Sequence, residues 1–362
     1  MDDRIEAHAE LLVDWSARVE PGDDVVVNVS KGAHDLAVAV AEKLGERGAT
    51  VHTTYSSGEV ERAYALGAEE FEEPTHERRL FEETDVYLSL GGGHNTSAMA
   101  DVPAEKRTAR SKVNEPVREA RLATDWVSTV HPTRSLAQQA GMAFEEYRDF
   151  VYEAVFRDWK ALAEEMGRLK AILDDGSRVR LVSGDRSDLT MSIEGRTAVN
   201  SAASVAYGSH NLPSGEVFTA PYDVEGHVVF DVPMTLRGKR VSDVRLEFED
   251  NEVVDYSAAT NGAVVGDIID TDEGARRLGE LGIGMNRDID RFTYNMLFDE
   301  KMGDTVHMAV GRAYDDTVGE GNECNQSAVH VDMIVDMSQD SRIEVDGEVV
   351  QRDGTLRFEE GF

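Results

Sequence analysis

Residues 24–55 read DVVVNVSKGAHDLAVAVAEKLGERGATVHTTY, and this stretch decides the class of fold. Asp24 to Val29 is a short, nearly continuous apolar run, the pattern of a strand buried on both faces. His34 to Gly48 changes to helical spacing and closes at a glycine. Thr50 to Tyr55 returns to β-branched and aromatic residues. Strand, helix and strand in so short a span make a parallel pair joined by a crossover helix. Working outward, Ile5 to Val19 places Ile5, Ala9, Leu12 and Trp15 on one helical face. Pro21-Gly22-Asp23 is a turn, and Val86 to Leu90 is a third strand. Gly91-Gly92-Gly93-His94 then ends a strand, where α/β sheets often bind ligands. No GxGxxG or Walker pattern accompanies it, so it reads as a plain loop.

From Asp125 the chain offers one short strand, WVSTVHP, and then helical stretches to Leu173. Asp174-Asp175-Gly176-Ser177 is the clearest boundary signal. Beyond it strands dominate: Arg178 to Ser183, Leu189 to Ile193, His227 to Val232, Lys239 to Glu249 and Val253 to Ser257. The alternation in RVRLV and VRLEFED suits antiparallel strands with one wet face. The expected fold is α/β: a doubly wound N-terminal α/β domain with a helical extension, residues 1–175, and a C-terminal, mainly β (α+β) domain, residues 176–362.

The totals exclude several classes. At 362 residues with 41% apolar content the chain can fill two cores. No run approaches the roughly 20 apolar residues of a membrane span. MDDRIEAHAE has neither the basic nor the apolar region of a signal peptide. A lone cysteine, Cys324, fits a reducing cytoplasm and reads as a loop thiol. Acidic residues number 71 against 37 basic ones, for a formal charge of −34, and only eight residues are lysine. Such a surface repels nucleic acid and anionic lipid. The acids are spread along the chain rather than gathered in a tail, which points to a halophilic, high-salt cytoplasm.

Chemistry concentrates in the second half. Asp299 to Asp336 holds His307 in TVHMAV and His330 in SAVHVDMIV, both strand-like. His330 and Asp332, two apart, project together and can share a metal. Tyr314 follows after Gly311, where a bend can bring its phenol close. Upstream, Glu216 follows a Pro-Ser-Gly turn, and Glu280 falls in the last turn of an expected helix, TDEGARRLGELG. Taken singly, each has a plain reading: a core histidine, an exposed aspartate, a turn acid, a solvated helix carboxylate, a half-buried aromatic.

Together the stretches NLPSGEVFTAP, EGARRLGELGIGMN, LFDEKMGDTVHMAVGRAY and NQSAVHVD resemble the M29 metallo-aminopeptidases, the aminopeptidase T and aminopeptidase S group. HPTRSLAQQAGMAFEEYRDFVYEAV, from His131 to Val155, is similar to the middle segment of that family. The resemblance runs in order over nearly the whole chain. It implies that Glu216, Glu280, His307, His330 and Asp332 are metal ligands and that Tyr314 is the active-site tyrosine. It also implies peptide substrates with a free N-terminus and a homodimer. The loop Asp315 to Ala328 is shorter than in many bacterial members, which bears on pocket shape and specificity.

Two histidines with three carboxylates suit Zn²⁺, Co²⁺ or Mn²⁺, with Mg²⁺ also admissible. Five ligands exceed the three of one open catalytic zinc and can serve two ions about 3.5–4 Å apart if a carboxylate bridges them. Glu216 is the expected bridge, while Glu280 is either ligand or catalytic base, and Tyr314 can donate to the oxyanion. Three functions stay open: an aminopeptidase, another dinuclear hydrolase such as a dipeptidase or amidase, and a non-catalytic binding protein with a vestigial site.

Overall fold

The structure, a computed structural model, describes residues 2–362. Its contacts divide the chain into two compact units. The first comprises residues 1–157 and 203–213, and the second comprises residues 158–202 and 214–362.

The first unit is built on a parallel sheet. Its strands are β1 (Asp24–Ser30), β2 (Thr50–Ser56), β3 (Val86–Gly91) and β4 (Asp125–Val130), in the order β2-β1-β3-β4. Val25 pairs with Val51 on one side and Val86 on the other, so the apolar run of β1 lies in the middle of the sheet, as its composition requires. The helix His34–Arg47 buries Leu36, Ala39, Val40 and Leu44 along one face and ends at Gly48, whose φ of +78° is the left-handed cap glycine favours. The helix expected from Ile5 runs Asp3–Leu11 and continues as one π-helical turn to Ser16.

A short excursion, residues 203–213, completes this unit. Asn211–Leu212 pairs in parallel with Ser128 and Thr129 on the free side of β4. The His210 ring stacks on Trp126 at 4.3 Å, and Ser204 donates to the Trp15 carbonyl at 2.6 Å.

His8 is wholly buried here, with Nε2 2.7 Å from the Thr129 hydroxyl. Burial, and then the nearby His131, push its pKa down to about 3. The folded state holds this imidazole neutral, whereas the unfolded chain protonates it below about 6.5. Stability is therefore lost as pH falls from about 6.5 toward 3. Between pH 7 and 5 the loss through His8 is expected to reach about 2 kcal/mol. Urea unfolding should show that share missing in His8→Gln, and an equal pH dependence in both proteins would place its origin elsewhere.

The second unit contains three antiparallel sheets, the smallest being the pair Met234–Leu236 and Lys239–Val241. One has eight strands, running in space from Glu252–Ser257 through Val244–Glu249, Tyr222–Phe230, Ser187–Ser192, Arg178–Ser183, Ser341–Val345 and Glu348–Arg352 to Thr355–Leu356. Another has five: β5 (Val199–Ser201), β6 (Glu216–Thr219), β7 (Leu278–Gly284), β8 (Thr305–Gly311) and β9 (His330–Asp336), in the order β9-β8-β7-β6-β5.

The helix Trp159–Asp175 belongs to this unit, so the seam in contacts precedes it rather than following at Gly176. Trp159, Leu162, Met166, Leu169 and Leu173 are buried along it. Asn200 donates to the Ala163 carbonyl at 2.8 Å and Lys170 to the Ala198 carbonyl at 2.7 Å, tying the helix to β5 and its approach.

The expected helix through Glu280 is absent. Gly274–Arg276 forms one 3-10 turn, and Leu278–Gly284 is a strand buried at every position. Helical spacing is a weak prior, and pairing on both sides overrides it here. The single strand expected over Lys239 to Glu249 is instead two, Lys239–Val241 and Val244–Glu249, which join different sheets because the chain turns at Asp243, whose φ is +49°. Elsewhere the alternating α/β first half and strand-rich second half are as read from the sequence. Among the described residues no helix is long and apolar enough to cross a membrane.

Candidate metal centre

The five-stranded sheet gathers the site. Residues directly opposite in antiparallel strands project to the same face. Gly284 faces Glu216, Gly282 faces both Phe218 and His307, and Glu280 faces Ala309. Ala309 in turn faces Asp332, and Gly311 faces His330. Glu216, Glu280, His307, His330 and Asp332 therefore stand on one face of four adjacent strands. All five residues singled out in the sequence come together.

Gly282 makes room for the centre. A β-carbon there would lie 2.0 Å from His307 Cε1 and 2.1 Å from Nε2. The imidazole thus lies across the bare backbone of β7. From that position Nε2 is 3.0 Å from Glu280 Oε1 and 3.4 Å from Glu216 Oε2. Glu216, Glu280 and His307 are all buried.

His330 is held from behind. Its Nδ1 lies 2.7 Å from the Arg312 carbonyl, which can only accept, so Nδ1 carries the proton. Nε2 then points at the carboxylates, 3.6 Å from Asp332 Oδ1 and 3.8 Å from Glu280 Oε2. Ligand atoms of Glu280, His307 and Asp332 fall within 4.8 Å of one another. Glu216 Oε2 and Asp332 Oδ1 are buried with no hydrogen-bond partner. Orphaned carboxylate oxygens beside two imidazole nitrogens are what a divalent cation would satisfy, so the residues present fit one.

The electrostatics agree. Burial alone would lower the His307 pKa, but Glu280 and Glu216 raise it to about 9. Burial likewise opposes protonation of His330, and Asp332 and Glu280 overcome it, lifting the value to about 10. Burial would raise Asp332, yet His330 brings it down to about 2. Burial raises Glu280. Without metal, protons on the imidazoles offset the carboxylates.

Two neighbours escaped the sequence reading. Lys301 is fully buried, with Nζ 3.4 Å from Glu216 Oε1, and it forms an ion pair with Glu300. Burial disfavours its charge, but Glu216 and Glu300 more than compensate and raise its pKa. Glu300 is raised to about 7, first by burial and against the pull of Lys301, with Glu216 and Asp332 adding to the rise. The available signal was a lysine, one of eight in the chain, directly before the strand that carries His307.

Tyr314 reaches the site through a bend. Gly311 has a φ of +104°, and a β-carbon there would meet the Val329 carbonyl at 2.1 Å, so the chain turns sharply at the end of β8. The Tyr314 ring lies 4.9 Å from that of His330 and 6.3 Å from that of Phe218. Although 45% of its surface is open, its pKa is pushed up, first by desolvation and then by Glu280 and Asp332. The phenol keeps its proton and remains a donor.

The fold recurs in solved structures. It superposes on wild-type AmpT from Thermus thermophilus with a TM-score of 0.86 at 26% identity, covering 98% of this chain and 99% of that one. A 2,5-dihydroxypyridine dioxygenase from Pseudomonas putida KT2440 matches with a TM-score of 0.60 at 13% identity over 99% and 97% of the two chains, a likeness of fold alone. In sequence, the chain is 29% identical to aminopeptidase T of Thermus thermophilus over 97% of its own length and 95% of the relative's. It is 26% identical to aminopeptidase PepS of Streptococcus thermophilus, over 98% and 95% respectively. The family described as thermophilic metalloprotease (M29) matches residues 1–361, and a carboxylate–imidazole cluster fit for a metal lies within that span, so the chain belongs to the M29 metallopeptidases.

Proposed function

We propose that this chain is a metal-dependent aminopeptidase whose centre is formed by Glu216, Glu280, His307, His330 and Asp332. The observation that carries this reading is their convergence on one sheet face, with two carboxylate oxygens buried and without a hydrogen bond, in a chain of a metallopeptidase family. Two divalent ions, Zn²⁺, Co²⁺ or Mn²⁺ with Mg²⁺ admissible, would supply a Lewis acid and lower the pKa of attacking water toward about 7.

The chain's own residues divide the remaining work. Glu280 approaches both imidazoles, one oxygen to each, and would hold metal together with them. Lys301 holds one oxygen of Glu216 and leaves the other turned into the cluster. Glu300 enters from the turn before β8 rather than from the sheet. It is the carboxylate left to accept the water's proton and pass it to the leaving amine. Tyr314 donates a hydrogen bond to the developing oxyanion.

Dialysis against chelator should abolish turnover of Leu-p-nitroanilide, and adding back one of the four metals should restore it. Full activity of the metal-free protein would refute the mechanism. The amine specificity has its own test. A free α-ammonium can pair with the carboxylates, or its neutral form can bind metal, and acetylation removes both options. A lost charge-assisted contact is worth about 1.5–3 kcal/mol, or roughly 10- to 150-fold. A Leu-started tripeptide should be cut stepwise while its N-acetyl form is left nearly untouched. Comparable kcat/KM for the two would favour the dipeptidase or amidase reading.

The enzyme is further proposed to be a cytoplasmic homodimer adapted to high salt. The −34 charge supports the salt adaptation, since self-repulsion weakens as the Debye length shortens. The dimer rests on the family resemblance. The melting temperature should fall as salt is diluted from 3 to 0.1 M, and an insensitive one would remove the adaptation. An active monomer by light scattering in high salt would remove the dimer.

A further inference from the structure

The structure points to a second binding site: we infer that a cavity beside Tyr314 takes the C-terminal carboxylate of a short peptide, with Arg196 as its partner. This rests on the aminopeptidase reading and extends it to the far end of the substrate.

The cavity has a volume of about 540 Å³, within the usual range for small-ligand sites. Ala220, Ala313 and Val318 form a buried apolar cluster in its wall, with Cys324 packed against them. Ala313 immediately precedes Tyr314, and Ala220 lies two residues beyond Phe218. The rings of Tyr314 and Phe218 are in edge contact, and Tyr314 also packs on His330. Ala313 and Ala220 thus link the cavity wall, along the chain, to the two aromatic residues packed at the metal cluster. The loop 315–328 supplies Val318 and the stretch from Asn322 to Gln326 to its lining.

Arg196 is the unusual group in that wall. Nη1 donates to the Val318 and Glu323 carbonyls, each at 3.2 Å, and the guanidinium lies 4.7 Å over the Tyr222 ring. These contacts fix the fork without neutralising it. Nε is buried and makes no hydrogen bond. Among the described residues Arg196 has no carboxylate within ion-pair distance, in a chain where acids outnumber bases 71 to 37. Arg277, which also lines the cavity, has Glu252 at 2.6 Å. A partly buried guanidinium with no carboxylate partner carries a desolvation cost that an incoming carboxylate would offset. Burial indeed pulls the Arg196 pKa down.

Competing occupants fare worse. The Cys324 thiol donates to the Ala313 carbonyl at 3.4 Å, and burial pushes its pKa up to about 11, so it supplies no anion. Glu273 and Glu323 also line the cavity but are exposed, which leaves the anion-accepting end at Arg196.

The test compares Leu-(Gly)n peptides of increasing length, each as free acid and as C-terminal amide, at one fixed salt concentration. At the length that spans the two sites, the free acid should be favoured about 10-fold in kcat/KM, chiefly through KM. Arg196→Gln should bring that ratio to about one. Arg196→Lys, which keeps the charge but loses the fork, should fall between. Turnover of the amide by each variant reports that fold and metals survive. A ratio near one at every length in the wild type, or an unchanged ratio in Arg196→Gln, would overturn the inference. Failure of the wild type to cut either form would instead reject the aminopeptidase reading.

Discussion

Gly282→Ala is expected to cost roughly 10²- to 10³-fold in kcat/KM and to weaken metal binding, with the sheet intact. The added carbon would stand 2.0 Å from His307 Cε1, 2.1 Å from Nε2 and 2.9 Å from Cδ2, so the edge of the ring that carries the ligating nitrogen is obstructed. His307 is 1% exposed, so a ring displaced by the new carbon gives up its present distances to Glu216 and Glu280. The backbone conformation at 282 lies outside the left-handed region, so alanine brings no backbone strain of its own. Loss should therefore show first in metal content by elemental analysis, with circular dichroism unchanged. Wild-type metal content and activity in Gly282→Ala would mean that the imidazole does not need this gap.

Tyr314→Phe should behave in the opposite way. It is expected to lower kcat by about 10²- to 10³-fold while leaving metal content and KM nearly unchanged. The ring packing against His330 and Phe218 survives the substitution, and only the hydroxyl is lost. Its raised pKa means that the group lost is a neutral donor, so no new pH step should enter the profile near neutrality. An unchanged kcat would reduce Tyr314 to a packing residue.

How far the sequence could be read depends on the kind of signal. The apolar run of β1 and the glycine-closed helix after it are local patterns, and both formed where expected. The five proposed ligands were legible because each sits in its own recognisable stretch. Their common face was not, since it follows from strand register, which pairing sets rather than propensity. Glu280 shows the limit: Arg-Arg-Leu-Gly-Glu-Leu has helical spacing, yet strands on both sides hold it extended. Lys301 was invisible for a different reason. A lysine reads as surface unless its partners are known, and Glu216 lies 85 residues earlier. Arg196 is marked by what it lacks, a carboxylate partner, and only coordinates reveal that.

The excursion of residues 203–213 into the first unit has a consequence for how the protein can be made and cut. A ribosome that has released β4 must still synthesise about 80 more residues before Asn211–Leu212 can close the edge beside it. Until then the nascent sheet carries a bare strand, Asp125–Val130, containing the buried Val127 and Val130. Such an edge recruits other strands. Expression of residues 1–157 alone would make that transient state permanent and should yield aggregate. A fragment that fuses residues 203–213 back through a short linker should stay dispersed.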